Sequence, residues 1–580
     1  MNRSFLRSSY EYRYWIVIFV SIIFVNAFVT IYILNEKYIY YWDFTGYWDL
    51  YSFLGEKFAL SPHQAIKSIV SSIQNDEYNL FPVLFLMPFY YVFGDSRLTY
   101  VLATANLYLI PSVLILTFLS EKIVRSYRGK IDGWVFFLSF ATIILFWPSW
   151  IPLLRGLPDI SGIVFLGLAL LIYFQKPIEE QKGNYLIALG VLLFLMTISR
   201  RWYSFWAFTF LATSFIERTV FLIRNRSFTK KNFITIVKKL AYPFFTYTIL
   251  MILLIRPILI KSIESDYGYI YSAYKLPLLQ SIRDFEKHLG ITLISFVLIA
   301  IVLASRRKEQ GRIALFATLQ LILIFYLFNR IQSFGLQHYL LISANIIILL
   351  TLFIDEIYSI SKKPFFRIAF LSTYTFIFLT SFSLVFIPST ETLFPLSYAF
   401  PLVRCYPLKR NDIEEIYRMV NTLENILDKN PSEFIYVLSS SKLFNSSTLS
   451  AAARKTNKNS IILKNLKPTA DVDRRDGFPF AFFESKYVIL ADPIQYALPE
   501  KDQQVVGILA QKILNKEGIG MDYEKMPFTF NLDNGVKVYI YQRLSPATYG
   551  DVRGILNEFL LSYPDWSTKY GVIPSSVLKK

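Results

Sequence analysis

Tyr14-Trp-Ile-Val-Ile-Phe-Val-Ser-Ile-Ile-Phe-Val-Asn-Ala-Phe-Val-Thr-Ile-Tyr-Ile-Leu34 carries no charged residue. About 20 such residues are enough to cross the hydrocarbon core of a bilayer as one helix. The preceding stretch is polar and holds Arg3, Arg7 and Arg13. The run is longer than a signal-peptide core, and no small-residue cleavage site follows it. It predicts an uncleaved first span with a cytoplasmic N-terminus.

The rest of the chain repeats this pattern. Further apolar runs near 98–118, 134–151, 160–174, 184–199, 203–222, 240–258, 289–305, 312–328, 339–354 and 367–387 bring the expected spans to about eleven. Positively charged residues collect in cytoplasmic loops, and the alternate connections are basic here. They contain Lys122, Arg125, Arg128 and Lys130, then Lys176 and Lys182, then Arg224, Arg226, Lys230, Lys231, Lys238 and Lys239. Arg306, Arg307, Lys308 and Arg312 follow, and then Lys362, Lys363 and Arg367. The apolar segment 81–93 is too short to span. Counting it would invert every later loop, so it is expected to lie as a juxtamembrane helix in the outer interface.

Composition agrees. The 580 residues are 54% hydrophobic and only 18% charged, against ~25% charged in soluble domains. The net charge of +18 fits basic loops facing anionic membrane lipids and does not call for nucleic acid. A single cysteine, Cys405, excludes an internal disulfide, and three histidines argue against a His-rich metal site. No Walker A, dinucleotide-binding glycine, HExxH or paired CxxC motif occurs, which disfavours an ATP-driven pump.

Two domains are expected: a transmembrane module over 1–398, with a first outer loop at 35–97, and an extracytoplasmic α/β domain over 399–580. In the latter, 411–428 reads as an amphipathic helix. Strands are expected at 434–440 and 486–492, and helices from about 447 and over 502–514. The alternating segment 536–543 resembles an edge strand.

Candidate chemistry gathers on the expected outer side. Asp43, in Tyr40-Tyr-Trp-Asp-Phe-Thr-Gly-Tyr47, follows the first span at the water–lipid boundary. A carboxylate there needs a partner or a task. Helical spacing would put Tyr47 on its face and Asp49 off it. Asp43 as a helix cap within an aromatic belt is the alternative. Asp159, in Arg155-Gly-Leu-Pro-Asp-Ile-Ser-Gly162, has the same two readings, its bland one being an N-cap behind Pro158. Arg155, Arg200, Arg201, Arg256, Arg283 and Arg330 stand on the outer side against the charge trend, as do His63, His288 and His338. Such a set suits a lipid phosphate, or it snorkels to outer headgroups.

The order of these elements resembles the GT-C glycosyltransferases, closest to the protein O-mannosyltransferases and lipid A aminoarabinose transferases. The resemblance rests on Asp43 after the first span and on Asp76-Glu-Tyr-Asn-Leu-Phe-Pro82 ahead of the juxtamembrane segment. It continues with Phe93-Gly-Asp-Ser-Arg97 opening the second span, Asp159 before the fourth, and Gln337-His-Tyr-Leu-Leu341. The chain differs in having Tyr78-Asn-Leu-Phe-Pro82 where that branch has Lys-Pro-Pro, and a lone Asp43 followed by Phe44 where it has an acidic pair. Substrate class is therefore not carried over.

The resemblance implies a multi-pass enzyme of the plasma (inner) membrane, a hexosyl- or pentosyltransferase with a polyprenyl-phosphate sugar as donor. The acceptor would be an envelope glycan, lipid or protein. Asp43 would be the general base of an inverting transfer, and Asp159 would orient the acceptor or bind a divalent cation. No other cofactor is implied. Tyr47, Arg155, Arg201, Arg256, Arg330, His338 and Tyr339 would contact substrate, and the C-terminal domain would cap the site and help choose the acceptor. A polysaccharide ligase or polymerase, or a lipid-linked sugar flippase, remains the alternative, since either would also bind a lipid phosphate on the outer side.

Overall fold

The computed structural model describes residues 3–393 and 399–570. It divides into two compact units. The first comprises Met1–Asn35, Tyr47–Ser265 and Lys275–Pro407; the second comprises Glu36–Gly46, Asp266–Tyr274 and Leu408–Lys580. The second unit thus takes in two short segments from earlier in the chain, and one of them carries Asp43.

Among its described residues the first unit contains helices and no strand. Among the described residues, eight helices are long and apolar enough to cross a membrane. Leu278–Leu289 and Ile291–Ser305 form a pair bent by 99°, and Pro158–Tyr173 and Gly183–Ser199 are shorter apolar helices. Together these occupy all eleven expected positions. The protein is a polytopic α-helical membrane protein.

Burial separates the helices by role. Leu340–Ile360 is buried along almost its whole length and is the central element of this unit. The first helix instead leaves Trp15, Phe19 and Ile31 more than 60% exposed. In a bilayer such side chains face lipid, which solvates them as well as a core would. Asn26 and Asn106 exchange amide hydrogen bonds of 3.0 and 2.7 Å between two spans, a polar join of the kind that helices use where hydrophobicity cannot drive them together. The bend at Gly290 needs glycine twice over. Its φ is +81°, and a Cβ there would stand 2.8 Å from the backbone of Phe400 and Pro401.

The segment 81–93 forms two short helices, Phe81–Leu84 and Met87–Phe93, with Pro82 and Pro88 near their starts. Tyr91, Val92 and Phe93 are exposed, as an interfacial segment requires.

Four buried carboxylates, in three clusters, went unforeseen. Glu121 pairs with Arg13 and Arg125. Asp355 and Glu356 pair with Arg128, and Glu356 with Arg307 as well. Glu217 pairs with Arg312 and lies near Arg218. All sit at helix ends that the charge pattern assigns to the cytoplasm. Part of the basic excess read as facing lipid is thus spent inside the protein, where a buried carboxylate would otherwise be costly.

The second unit is a three-layer α/β domain. Its strands are β1 (Ile435–Leu438), β2 (Tyr487–Asp492), β3 (Tyr523–Asn531) and β4 (Lys537–Arg543), in the order β1-β2-β4-β3. β1 and β2 are parallel; the other pairings are antiparallel. The apolar run of β2 is explained by two cores. Val488 and Leu490 enter one, packed by Gln504–Asn515 and Tyr549–Phe559, while Tyr487, Ile489 and Ala491 enter the other, beneath Ile413–Lys429 and Ser446–Thr456. The expectation of an edge strand at 536–543 is corrected. β4 is paired on both sides, and β3 forms that edge. Alternation reports which faces are buried, not which in-plane edges are paired.

Candidate functional site

The aromatic segment before Asp43 is held under strain. Trp42 has φ +45°, a left-handed conformation that a bulky side chain avoids because Cβ crowds the carbonyl. It is fastened at both ends. Its backbone N–H donates to Ser447 Oγ at 2.8 Å, and its indole Nε1 donates to Asp471 Oδ2 at 3.0 Å. Asp471 is fixed in turn by the Ser440 hydroxyl at 2.7 Å. Burial pushes the Asp471 carboxyl up, opposed by these hydrogen bonds. Asp43 itself is half-buried and is the first residue of the helix Asp43–Leu60. Burial raises the nearby Tyr274 phenol, with Arg475 opposing and Asp43, Asp471 and Asp476 adding to the rise. Asp43 therefore shares a neighbourhood in the second unit with those carboxylates.

In the first unit, Asp159 is completely buried and Arg200 is 5% exposed. Arg200 Nε donates to Asp159 Oδ1 at 2.8 Å, and Nη1 donates to the Tyr47 hydroxyl at 2.7 Å. The guanidinium also lies 4.6 Å from the Tyr78 ring centre. Tyr203 donates its hydroxyl to the Asp159 carbonyl at 2.9 Å. Its ring packs so closely on Gly162 that a Cβ there would come within 2.1 Å. Asp159 lies in a 3₁₀ turn, Pro158–Ile160, and the next helix has no side-chain cap. The N-cap reading of Asp159 therefore fails: its side chain is turned to Arg200.

The other expected residues are dispersed. Arg201 pairs with Glu77 at 2.6 Å, and Lys261 approaches the same carboxylate at 3.7 Å. Arg155 is buried and donates to the Tyr406 carbonyl at 2.9 Å. Arg256 and Arg330 are exposed. Tyr339 stacks on His288 with ring centres 3.5 Å apart and donates to the Asp284 carbonyl at 3.2 Å. His338 Nδ1 accepts from the Gly335 N–H at 2.8 Å, so its neutral ring carries the proton on Nε2. Burial lowers His338 to about 3, helped by Arg200 and Arg201. It is a neutral hydrogen-bond donor at physiological pH and not a third cation.

The structure thus joins Tyr47 to Asp159 through Arg200, and brings His338 under the influence of Arg200 and Arg201. The residue that sequence reasoning passed over in its substrate-binding set is Arg200. Two adjacent arginines look alike in sequence, and only the turn after Gly183–Ser199 decides which one is buried. Trp42 and Asp471 were also missed, being far apart in the chain. Among the described residues, no group of three or more His, Cys, Asp or Glu side chains is placed to hold a metal ion. The Asp159 carboxylate, which the resemblance offered to a divalent cation, is engaged by Arg200.

No protein-family model matches the chain, and no curated protein matches it in sequence. Among solved structures it is similar to the oligosaccharyltransferase of Archaeoglobus fulgidus tethered to an acceptor peptide containing the NVT sequon. That match is 10% identical, covers 93% of this chain and 74% of that one, and has a TM-score of 0.48. It is also similar to ArnT from Cupriavidus metallidurans bound to undecaprenyl phosphate, at 10% identity, 93% and 98% coverage and a TM-score of 0.40. The oligosaccharyltransferase AglB of Archaeoglobus fulgidus, in complex with an inhibitory peptide and a dolichol-phosphate, matches at 11% identity, 91% and 74% coverage and a TM-score of 0.42.

Proposed function

We propose that the protein is a membrane glycosyltransferase of the GT-C type. It moves a sugar from a polyprenyl-phosphate donor to a glycan, lipid or protein acceptor on the extracytoplasmic face, with inversion. The observation that carries this reading is the fastening of Trp42. Backbone strain of this kind costs on the order of 1–3 kcal/mol and persists where its surroundings over-determine it. Here it sets the carboxylate that follows, Asp43, at the head of a helix.

In the reaction, Asp43 accepts the proton of the acceptor hydroxyl or amine as that nucleophile attacks the anomeric carbon. The bond between that carbon and the phosphate oxygen breaks, and the lipid phosphate leaves with the electron pair. A positioned base contributes ~10²–10⁴ in rate. The charge that develops on the departing phosphate would be met by cationic or N–H donor groups. Asp159 acts as a positioning residue: it holds Arg200, and Arg200 holds Tyr47.

The test is sugar transfer by lipid-reconstituted protein from a panel of polyprenyl-phosphate hexoses and pentoses, in the presence of an envelope extract. Wild-type turnover that falls about 10²-fold or more in folded Asp43→Asn supports the reading. No turnover of any donor, or equal turnover by both proteins, overturns it and favours the ligase or flippase.

A further inference from the structure

The second unit holds a cleft of about 720 Å³ that the proposed chemistry does not use. Its walls come from four stretches of chain, around Tyr38, residues 409–411, 441–443 and 495–497, with Asp533 and Asn534 at one side. The walls are tied together. The Ser440 N–H donates to the Gln495 carbonyl at 3.1 Å, and the Asn411 N–H donates to Asp533 Oδ2 at 3.0 Å.

Three cations line it, Lys409, Arg410 and Lys442, against one carboxylate, Asp533. Arg410 is 4% exposed. Its Nε and Nη2 donate to Asp412 at 2.6 and 2.9 Å, and Nη2 also reaches the Leu443 carbonyl at 2.9 Å. Its Nη1 is buried and has no hydrogen-bond partner among the described residues. A guanidinium left one donor short is costly unless something else accepts from it. Beside these cations stand the rings of Tyr38 and Tyr496 and the side-chain amides of Asn411, Gln495 and Asn534.

The chemistry selects among ligands. Lys409 and Lys442, beside an Arg410 whose charge Asp412 matches but whose Nη1 lacks an acceptor, favour a carboxylate or phosphate. Amides pair with hydroxyls, and tyrosine rings cover the C–H faces of a pyranose. The volume is that of a site for a small organic molecule and far exceeds the needs of a bare anion. We infer that this cleft binds a short anionic saccharide, bearing either carboxylates or phosphates. The inference goes beyond the proposed transfer reaction and does not need Asp43 to be catalytic.

The test is equilibrium binding to the full-length protein in lipid nanodiscs, read without turnover. The probes are trigalacturonate, mannose 6-phosphate, maltotriose and inorganic phosphate. At least one of the two anionic sugars should bind about tenfold or more tighter than both maltotriose and inorganic phosphate, and the two arms separate carboxylate from phosphate. Lys442→Glu, on an exposed side chain, should remove that preference, and Tyr496→Ala should weaken binding of the sugar. Equal binding of maltotriose would overturn the inference. So would inorganic phosphate binding as tightly as either sugar, no binding of any probe, or a preference unchanged in Lys442→Glu. Because no donor is consumed, loss of sugar transfer in Asp43→Asn leaves this result untouched, and the reverse also holds.

Discussion

Asp159 and Asp43 are both outer-side carboxylates in the sequence, yet their surroundings differ in kind. Asp159 is completely buried and bonded to the Arg200 guanidinium. Asp43 is half-buried, and what is constrained is the backbone beside it, through Trp42. A base must meet its substrate, so a carboxylate sealed against a cation is suited to holding structure, and a half-buried one at a helix start is suited to chemistry. Similar positions in a sequence motif thus separate into a sealed ion pair and a half-buried carboxylate.

The sharpest way to break this contrast is to neutralise each acid in turn. Asp43→Asn should lose ~10²–10⁴ in turnover with little change in thermal midpoint. Asp159→Asn or Arg200→Met should instead cost about 3–5 kcal/mol of stability, because the surviving partner becomes an unpaired polar group or charge in the interior. The double variant Asp159→Asn/Arg200→Met should recover part of that loss, which a thermal-shift cycle would read. If Asp43→Asn unfolds the protein and Asp159→Asn merely silences it, the assignments are reversed.

A second contrast is pH dependence. Burial pushes the Asp473 carboxyl up to about 7, opposed by the Tyr563 hydroxyl and the amides of Val505 and Gln504. Its folded value exceeds the unfolded one of about 3.9, so it favours the folded state at low pH, and that advantage is lost as pH rises from about 4 through 7. His338 runs the other way. Its folded value is about 3, so below about 6.5 the unfolded chain takes up the proton first and stability falls as pH drops. Asp473→Asn should remove this decline between about pH 4 and 7, an effect of up to a few kcal/mol at ~1.4 kcal/mol per pH unit. An identical thermal-midpoint profile for wild type and variant from pH 5 to 8 would show that Asp473 ionises normally.

The smallest expected effect tests the fastening itself. Trp42→Phe keeps a ring but loses the hydrogen bond to Asp471, worth about 1 kcal/mol. Turnover should drop roughly up to tenfold, while the thermal midpoint moves little. A variant with wild-type turnover would remove the link between this contact and Asp43.

Much was legible in the sequence because its causes are local. A run such as 14–34 declares a span by length and polarity, and its solvent, the lipid, imposes one simple rule on every helix. The α/β domain showed through short apolar strands at 434–440 and 486–492 set between helical segments. β4 was misplaced at an edge because the alternation of its side chains carries no information about its hydrogen-bonded neighbours.

By itself, then, the sequence determined that this is a polytopic membrane protein with an α/β domain after its last span, and it marked Asp43 and Asp159 for attention. Only the tertiary structure decided that Arg200 and not Arg201 pairs with Asp159. It alone showed that Asp471, 429 residues beyond Trp42, holds the indole. The physical reason is range. Hydropathy and periodicity act over a helix turn or a span, whereas an ion pair or a hydrogen bond forms between whichever groups the completed fold brings to within about 3 Å.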